Sequence, residues 1–191
     1  MWLGNSRGNS FSKSHKYLDS KTDQEFWNFS FYEMGKYDTK AVFEYILEET
    51  QNQKIAYVGH SQGVTQMLSA LWEDEDWYAD KISIFIALAP ATRMSQVDTE
   101  FLKRFCRSKT VDKIDDKFNL PVYVEPNRFT INSWLLLSKV VPTLAQLDTR
   151  PYEGSRPDVN DLTSAQIFWH YHPNGTSTKA LRHWRQIIKA K

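Results

Sequence analysis

The run Gly59-His60-Ser61-Gln62-Gly63 sets a serine between two glycines at minus two and plus two. A serine hydroxyl is a weak nucleophile that needs a base beside it and open space in front of it. A sharp strand-to-helix turn, the nucleophile elbow, provides the space by pushing the hydroxyl outward. Side chains at 59 and 63 are expected to collide as strand and helix close on each other, so glycine is expected at both. The backbone N–H of Gln62 then falls at a helix N-terminus, where it can donate to the oxyanion of a tetrahedral intermediate. The candidate chemistry is acyl transfer to Ser61 and then to water. Ser61 is the nucleophile, Gln62 the oxyanion-hole donor, and no metal or organic cofactor is called for.

The flanking sequence supplies the elements such a turn requires. Lys54 to Val58 reads as a short buried strand, and residues 62–71 as a helix whose stripe is Val64, Met67, Leu68 and Leu71. Lys81 to Leu88 is a second apolar run, ended by Ala89-Pro90. Upstream, Asp38 is a candidate N-cap for a helix carrying Val42, Tyr45, Ile46 and Glu49 and ending near Thr50. The acidic run Glu73 to Asp76 reads as a solvated loop. Residues 1–37 read as loops with short elements. The order helix, strand, tight turn, helix, strand is that of an α/β protein with a parallel sheet and helices on its faces.

Residues 93–191 change character. Six of the seven prolines fall there, and no second strand–helix–strand unit or internal repeat is visible. The best helix candidates are 101–105, 131–141 and 178–189. The expected organisation is a partial α/β core over 1–92 and a mainly helical cap over 93–191.

Composition narrows the partners. Lys and Arg total 24 against 23 Asp and Glu, so the basic surplus of a nucleic-acid binder is missing. Cys106 is the only cysteine, which excludes an intrachain disulfide and a cysteine zinc site. Aromatic residues make up 14%, which favours thick cores and apolar pockets. No stretch approaches the roughly 20 apolar residues of a membrane span. The first residues lack the basic, apolar and small-residue series of a signal peptide.

Four blocks resemble the acid lipases, the gastric and lysosomal enzymes and their triacylglycerol and sterol-ester hydrolase relatives. They are Trp2 to Asn9; Phe26 to Ser30 with Glu33-Met34 and Tyr37-Asp38; Ile55 to Gly63; and Ala87 to Pro90. A weaker block is Gly175-Thr176-Ser177 with His183-Trp184 and Gln186. The resemblance implies an α/β-hydrolase core, a helical cap over an acyl pocket, and a Ser-Asp-His triad. In it Ser61 matches the nucleophile and Gln62 the oxyanion donor. Arg7 is expected to anchor backbone rather than touch substrate. The resemblance also implies a lipid ester substrate, a lipid interface, and a secreted or lysosomal location.

The resemblance places the second oxyanion donor before Trp2, and the triad Asp and His after the cap, beyond Lys191. The chain is therefore expected to be a fragment that is inactive alone. An in-chain triad remains the alternative, since Asp148, Asp158 and Asp161 precede His170, His172 and His183 in the usual order. Packing and hydrogen bonding are the plainer roles for those histidines. His60 is expected to pack near the strand end and His15 to lie on the surface. Sequons stand at Asn28-Phe29-Ser30 and Asn174-Gly175-Thr176. Two rivals are an inactive structural or lipid-binding subunit, and a small-ester hydrolase or thioesterase sharing only the elbow.

Overall fold

The computed structural model describes residues 1–92 and 174–190, with residues 94, 107, 108, 122, 123, 132, 133 and 136 between them. Ser30 starts the first long helix. Its hydroxyl accepts the Tyr32 N–H at 3.2 Å, and Glu33 Oε2 accepts the Ser30 N–H at 2.7 Å. This capping box satisfies donors that a helix N-terminus otherwise leaves open. The helix runs through α1 (Phe31–Glu33), a π-helical turn (Met34–Thr39) and α2 (Lys40–Thr50).

The start expected at Asp38 is thus displaced to Ser30, and Asp38 lies inside the π-helical turn. Its carboxylate is taken by Arg7, whose Nε and Nη2 donate to Oδ1 at 2.8 and 2.5 Å and whose backbone N–H donates to Oδ2 at 3.1 Å. Charge-assisted bonds of this kind fix the N-terminal loop on the helix. Arg7 therefore does anchor, but through a side chain. In the loop that leads to a 3₁₀ turn (Gln24–Trp27), Gly8 shows why glycine is needed there. Its φ is +83°, and a Cβ would come within 3.0 Å of both Phe29 and Trp27.

Strand β1 (Ile55–His60) pairs in parallel with β2 (Ile82–Leu88), from Ile55 opposite Ile82 to His60 opposite Leu88. Between them run α3 (Gln62–Glu73) and α4 (Glu75–Lys81). Phe43, Met67, Ala70 and Tyr78 form a buried cluster that covers one face of the pair through Ile55, Tyr57, Ile82 and Phe85. The other face leaves Val58, Ile84 and Ile86 exposed. The expected buried strand is thus half right, because α2, α3 and α4 all contribute to a core on the same face.

The acidic run is not a loop. Glu73 closes α3, and Asp74 caps α4 by accepting the Trp77 N–H at 3.4 Å. Lys36 and Lys40 pair with Glu73 and Asp74 at 2.7 and 3.0 Å. Two of the four acidic residues are thus paired with lysines from the adjoining helix, and Glu75 and Asp76 fall in the first turn of α4, where the helix dipole favours them.

A second core holds Phe26, Trp27, Phe29, Phe31 and Met34, with Leu18, Trp184 and Ile187 packed on it. The last two come from α5 (Thr178–Lys189), which coincides with the helix expected over 178–189. Just before it, β4 (Thr176–Ser177) pairs antiparallel with β3 (Val122–Tyr123). The helix expected over 101–105 lies outside the described residues. Of the one expected over 131–141, only 132, 133 and 136 are described, and they are helical. Most of the expected cap also lies outside.

Candidate active site

Ser61 joins β1 to α3 with φ 51° and ψ −115°. A positive φ is costly for a residue with a Cβ and persists only where the surroundings impose it. Here the Ser61 N–H donates to the Leu88 carbonyl at 3.0 Å, and the Ser61 carbonyl accepts the Val64 N–H at 3.1 Å. The chain is held by the sheet on one side and by the helix on the other. The Ser61 hydroxyl makes no capping bond to α3, and the residue is exposed. A strained, outward-facing serine between a strand and a helix is the geometry its chemistry requires.

Gly59 is demanded by packing. A Cβ there would meet Val64 N at 2.9 Å and Gly63 C at 3.0 Å. Gly63 behaves differently: among the described residues its Cβ would meet only Tyr57 Oη, at 3.9 Å. The expectation that both glycines avoid a collision therefore holds for Gly59 alone. The Tyr57 hydroxyl donates to the Gly63 carbonyl at 2.9 Å, and burial pushes the Tyr57 pKa up.

Gln62 opens α3, so its N–H lies in the first turn, where no intrahelical acceptor is available. Its side chain is held from two directions. Trp184 Nε1 donates to Gln62 Oε1 at 2.8 Å, and Gln62 Nε2 lies 3.6 Å from Met34 Sδ. One helical turn on, Gln66 Nε2 donates to Ser6 Oγ at 3.0 Å and tethers the N-terminal loop to α3.

Among the described residues no histidine or carboxylate hydrogen-bonds to the Ser61 hydroxyl. His60 is exposed at the end of β1 rather than packed, because strand alternation points it away from the covered face. His15 lies on the surface as expected and accepts the Tyr17 and Leu18 N–H groups at 3.1 and 2.9 Å. His183 stacks on Phe31 at 4.0 Å between centroids, with Nδ1 3.1 Å from Ser30 Oγ. This is the packing and hydrogen-bonding role expected of it. Asp148, Asp158, Asp161, His170 and His172 lie outside the described residues.

The contacts that dock α5 form one network. Lys179 Nζ pairs with Glu33 Oε1 at 2.6 Å, and Ser30 Oγ donates to Glu33 Oε2 at 2.8 Å. Burial pushes the Glu33 carboxyl up, but the bonds from Lys179 and Ser30 outweigh it and hold the pKa at about 2. Burial lowers the His183 pKa, opposed by the nearby Glu33 charge. The Ser177 hydroxyl donates to the Phe29 carbonyl and accepts the Ala180 N–H, so it caps α5 and ties it down.

A parallel strand pair with a strained serine turn between β1 and α3 is the local architecture of the α/β-hydrolase fold. The match to known families agrees: the alpha/beta hydrolase fold model covers residues 1–116, and the chain belongs to that family. It is similar to gastric triacylglycerol lipase of Bos taurus, 33% identical over all of this chain and 47% of the relative. It is also similar to gastric triacylglycerol lipase of Mus musculus, at 35% over all of this chain and 48% of the relative. Lipase member K of Homo sapiens is 32% identical over all of this chain and 47% of the relative. These relatives bear out the acid-lipase resemblance. The chain spans about half the length of the curated relatives it matches.

Proposed function

We propose that the protein carrying this chain is a serine hydrolase of neutral lipid esters, with Ser61 as nucleophile and the Gln62 N–H as oxyanion donor. The observation that carries the reading is the exposed, positive-φ Ser61 between β1 and α3. A base takes the Ser61 proton as Oγ attacks the ester carbonyl. The tetrahedral oxyanion accepts the Gln62 N–H, and collapse releases the alcohol, which receives that proton. Water then cleaves the acyl-enzyme by the same route, giving the fatty acid and free Ser61. No step calls for a metal or an organic cofactor.

Triacylglycerols or sterol esters are the proposed substrates, supported by relatives named triacylglycerol lipase. A cap over 93–191, a lipid interface and a secreted or lysosomal location belong to the same reading. Among the described residues no helix is long and apolar enough to cross a membrane. A fluorophosphonate probe on the intact protein, followed by peptide mass spectrometry, tests the reading. It should label Ser61, and Ser61→Ala should lose both the label and turnover of a long-chain ester. Labelling elsewhere, or turnover that survives Ser61→Ala, overturns it. A preference for short esters or thioesters would favour the elbow-only hydrolase.

The second reading, an inactive lipid-binding or structural subunit, draws on one observation: among the described residues no base is hydrogen-bonded to Ser61. Lipid binding without any probe labelling would establish it.

A further inference from the structure

The hydrogen bond from Trp184 to Gln62 crosses 122 positions of sequence and ends on the residue whose N–H is assigned to the oxyanion. We infer that Trp184 is a positioning residue for the oxyanion hole, acting through the Gln62 side chain. The inference rests on the proposed function above and adds a component that no motif in the sequence reveals.

A glutamine in the first turn of a helix carries its own competitor. Its side-chain oxygen can fold back and accept the orphan N–H groups of that turn, as capping side chains do. Such a bond would occupy donors that the oxyanion needs. Trp184 prevents it by holding Oε1 at 2.8 Å, while Met34 Sδ lies 3.6 Å from Nε2. The indole is itself fixed. It packs on Phe31 at 4.7 Å between centroids, and α5 is anchored by the Lys179–Glu33 pair and the Ser177 cap. Both clamps on Gln62 therefore come from the α5 and 30–34 unit, and the oxyanion residue reads how well that unit is docked. Preorganised donors act on the transition state, so the contact should affect kcat rather than substrate binding.

The test is a double-mutant cycle on the intact protein. Trp184→Phe keeps a ring against Phe31 and removes only the N–H donor. It should lower kcat about tenfold with KM unchanged, the scale of losing one orienting hydrogen bond. Gln62→Met keeps the backbone donor but has no Oε1 to fold back. In that background Trp184→Phe should change kcat less than about twofold. A second readout needs no turnover: the Trp184 indole N–H resonance, assigned by its loss in Trp184→Phe, should shift and exchange faster in Gln62→Met. An equal effect of Trp184→Phe in both backgrounds, no effect in either, or an indole signal indifferent to Gln62→Met overturns the inference. If these fail while Ser61→Ala still abolishes turnover, the function stands and the positioning role falls. If Ser61→Ala leaves turnover intact, both fall.

Discussion

The Ser61 N–H donates to the Leu88 carbonyl at 3.0 Å, which ties the Ser61 turn to the end of the neighbouring strand. The bond extends the β1–β2 register one step past His60 opposite Leu88 and helps hold Ser61 at φ 51°. Strain of this kind costs of order 1–3 kcal/mol. Ser61→Gly should therefore be more stable than Ser61→Ala by about 1 kcal/mol, since relief of strain exceeds the entropy of an added glycine. Denaturant unfolding of the two variants measures the difference. Equal stability would show that the turn is not strained.

The glycines around Ser61 should separate in the same assay. Gly59→Ala pushes a Cβ into the α3 backbone at Val64 N and should cost about 2 kcal/mol or more. Gly35→Ala, where the π-helical turn crosses α3 against Ser69 and Ala70, should cost a similar amount. Among the described residues Gly63→Ala meets only Tyr57 Oη at 3.9 Å and sits in a helix, so it should be neutral or slightly stabilising. Ranking the three by unfolding midpoint checks the assignment; a Gly63→Ala as damaging as Gly59→Ala would contradict it.

What was legible in the sequence was local. Strand, turn and helix around Ser61 follow from short-range apolar periodicity and one five-residue motif, and α5 follows from its own stripe. The capping box of Ser30 and Glu33 went unread, and the helix start was placed at Asp38. Its carboxylate proved to be the partner of Arg7, 31 residues away. The exposed strand face could not be read, because apolar runs do not say how many layers cover them. Trp184 stood in the weaker family block, but its contact with Gln62 could not be read, since it depends on how α5 docks across the fold.

Docking of α5 should weaken with acid in two stages. Burial lowers the His183 pKa below its ordinary 6.5, so neutral His183 favours the folded state. That contribution is present above about 6.5 and fades as pH falls through the lowered value. Glu33 is held at about 2 against an ordinary 4.5, so its contribution is complete above 4.5 and lost as pH falls towards 2. Because Glu33 is only partly buried and its partner Lys179 is 43% exposed, solvent screening holds this stage to about 1 kcal/mol. Hydrogen exchange of amides 178–189 between pH 7.5 and 2 follows both stages. His183→Asn should remove the upper one and Glu33→Gln the lower. Amides whose protection is unchanged by either variant would show that this network does not hold the helix.

The 191-residue chain by itself should turn esters over slowly. On the proposed reading it carries the nucleophile, Ser61, and one oxyanion donor, the Gln62 N–H. Among the described residues, however, no base is hydrogen-bonded to Ser61, and His183 is engaged with Ser30 and Phe31. Without a base the hydroxyl stays protonated, and without a carboxylate behind the base the imidazolium is not stabilised. Hydrolysis of a medium-chain ester by the chain should therefore lie within about tenfold of its own Ser61→Ala variant, the residual rate coming from binding and the oxyanion donor. The chain should nevertheless keep the elbow, so Ser61→Gly should still be more stable than Ser61→Ala. A Ser61-dependent rate a thousandfold or more above Ser61→Ala, on the scale that a complete triad supplies, would place the base within the chain. Alanine replacement of His170, His172 and His183 in turn would then identify it. Loss at His183 would require that side chain to leave Ser30, whereas loss at His170 or His172 would locate the base in the 93–173 region.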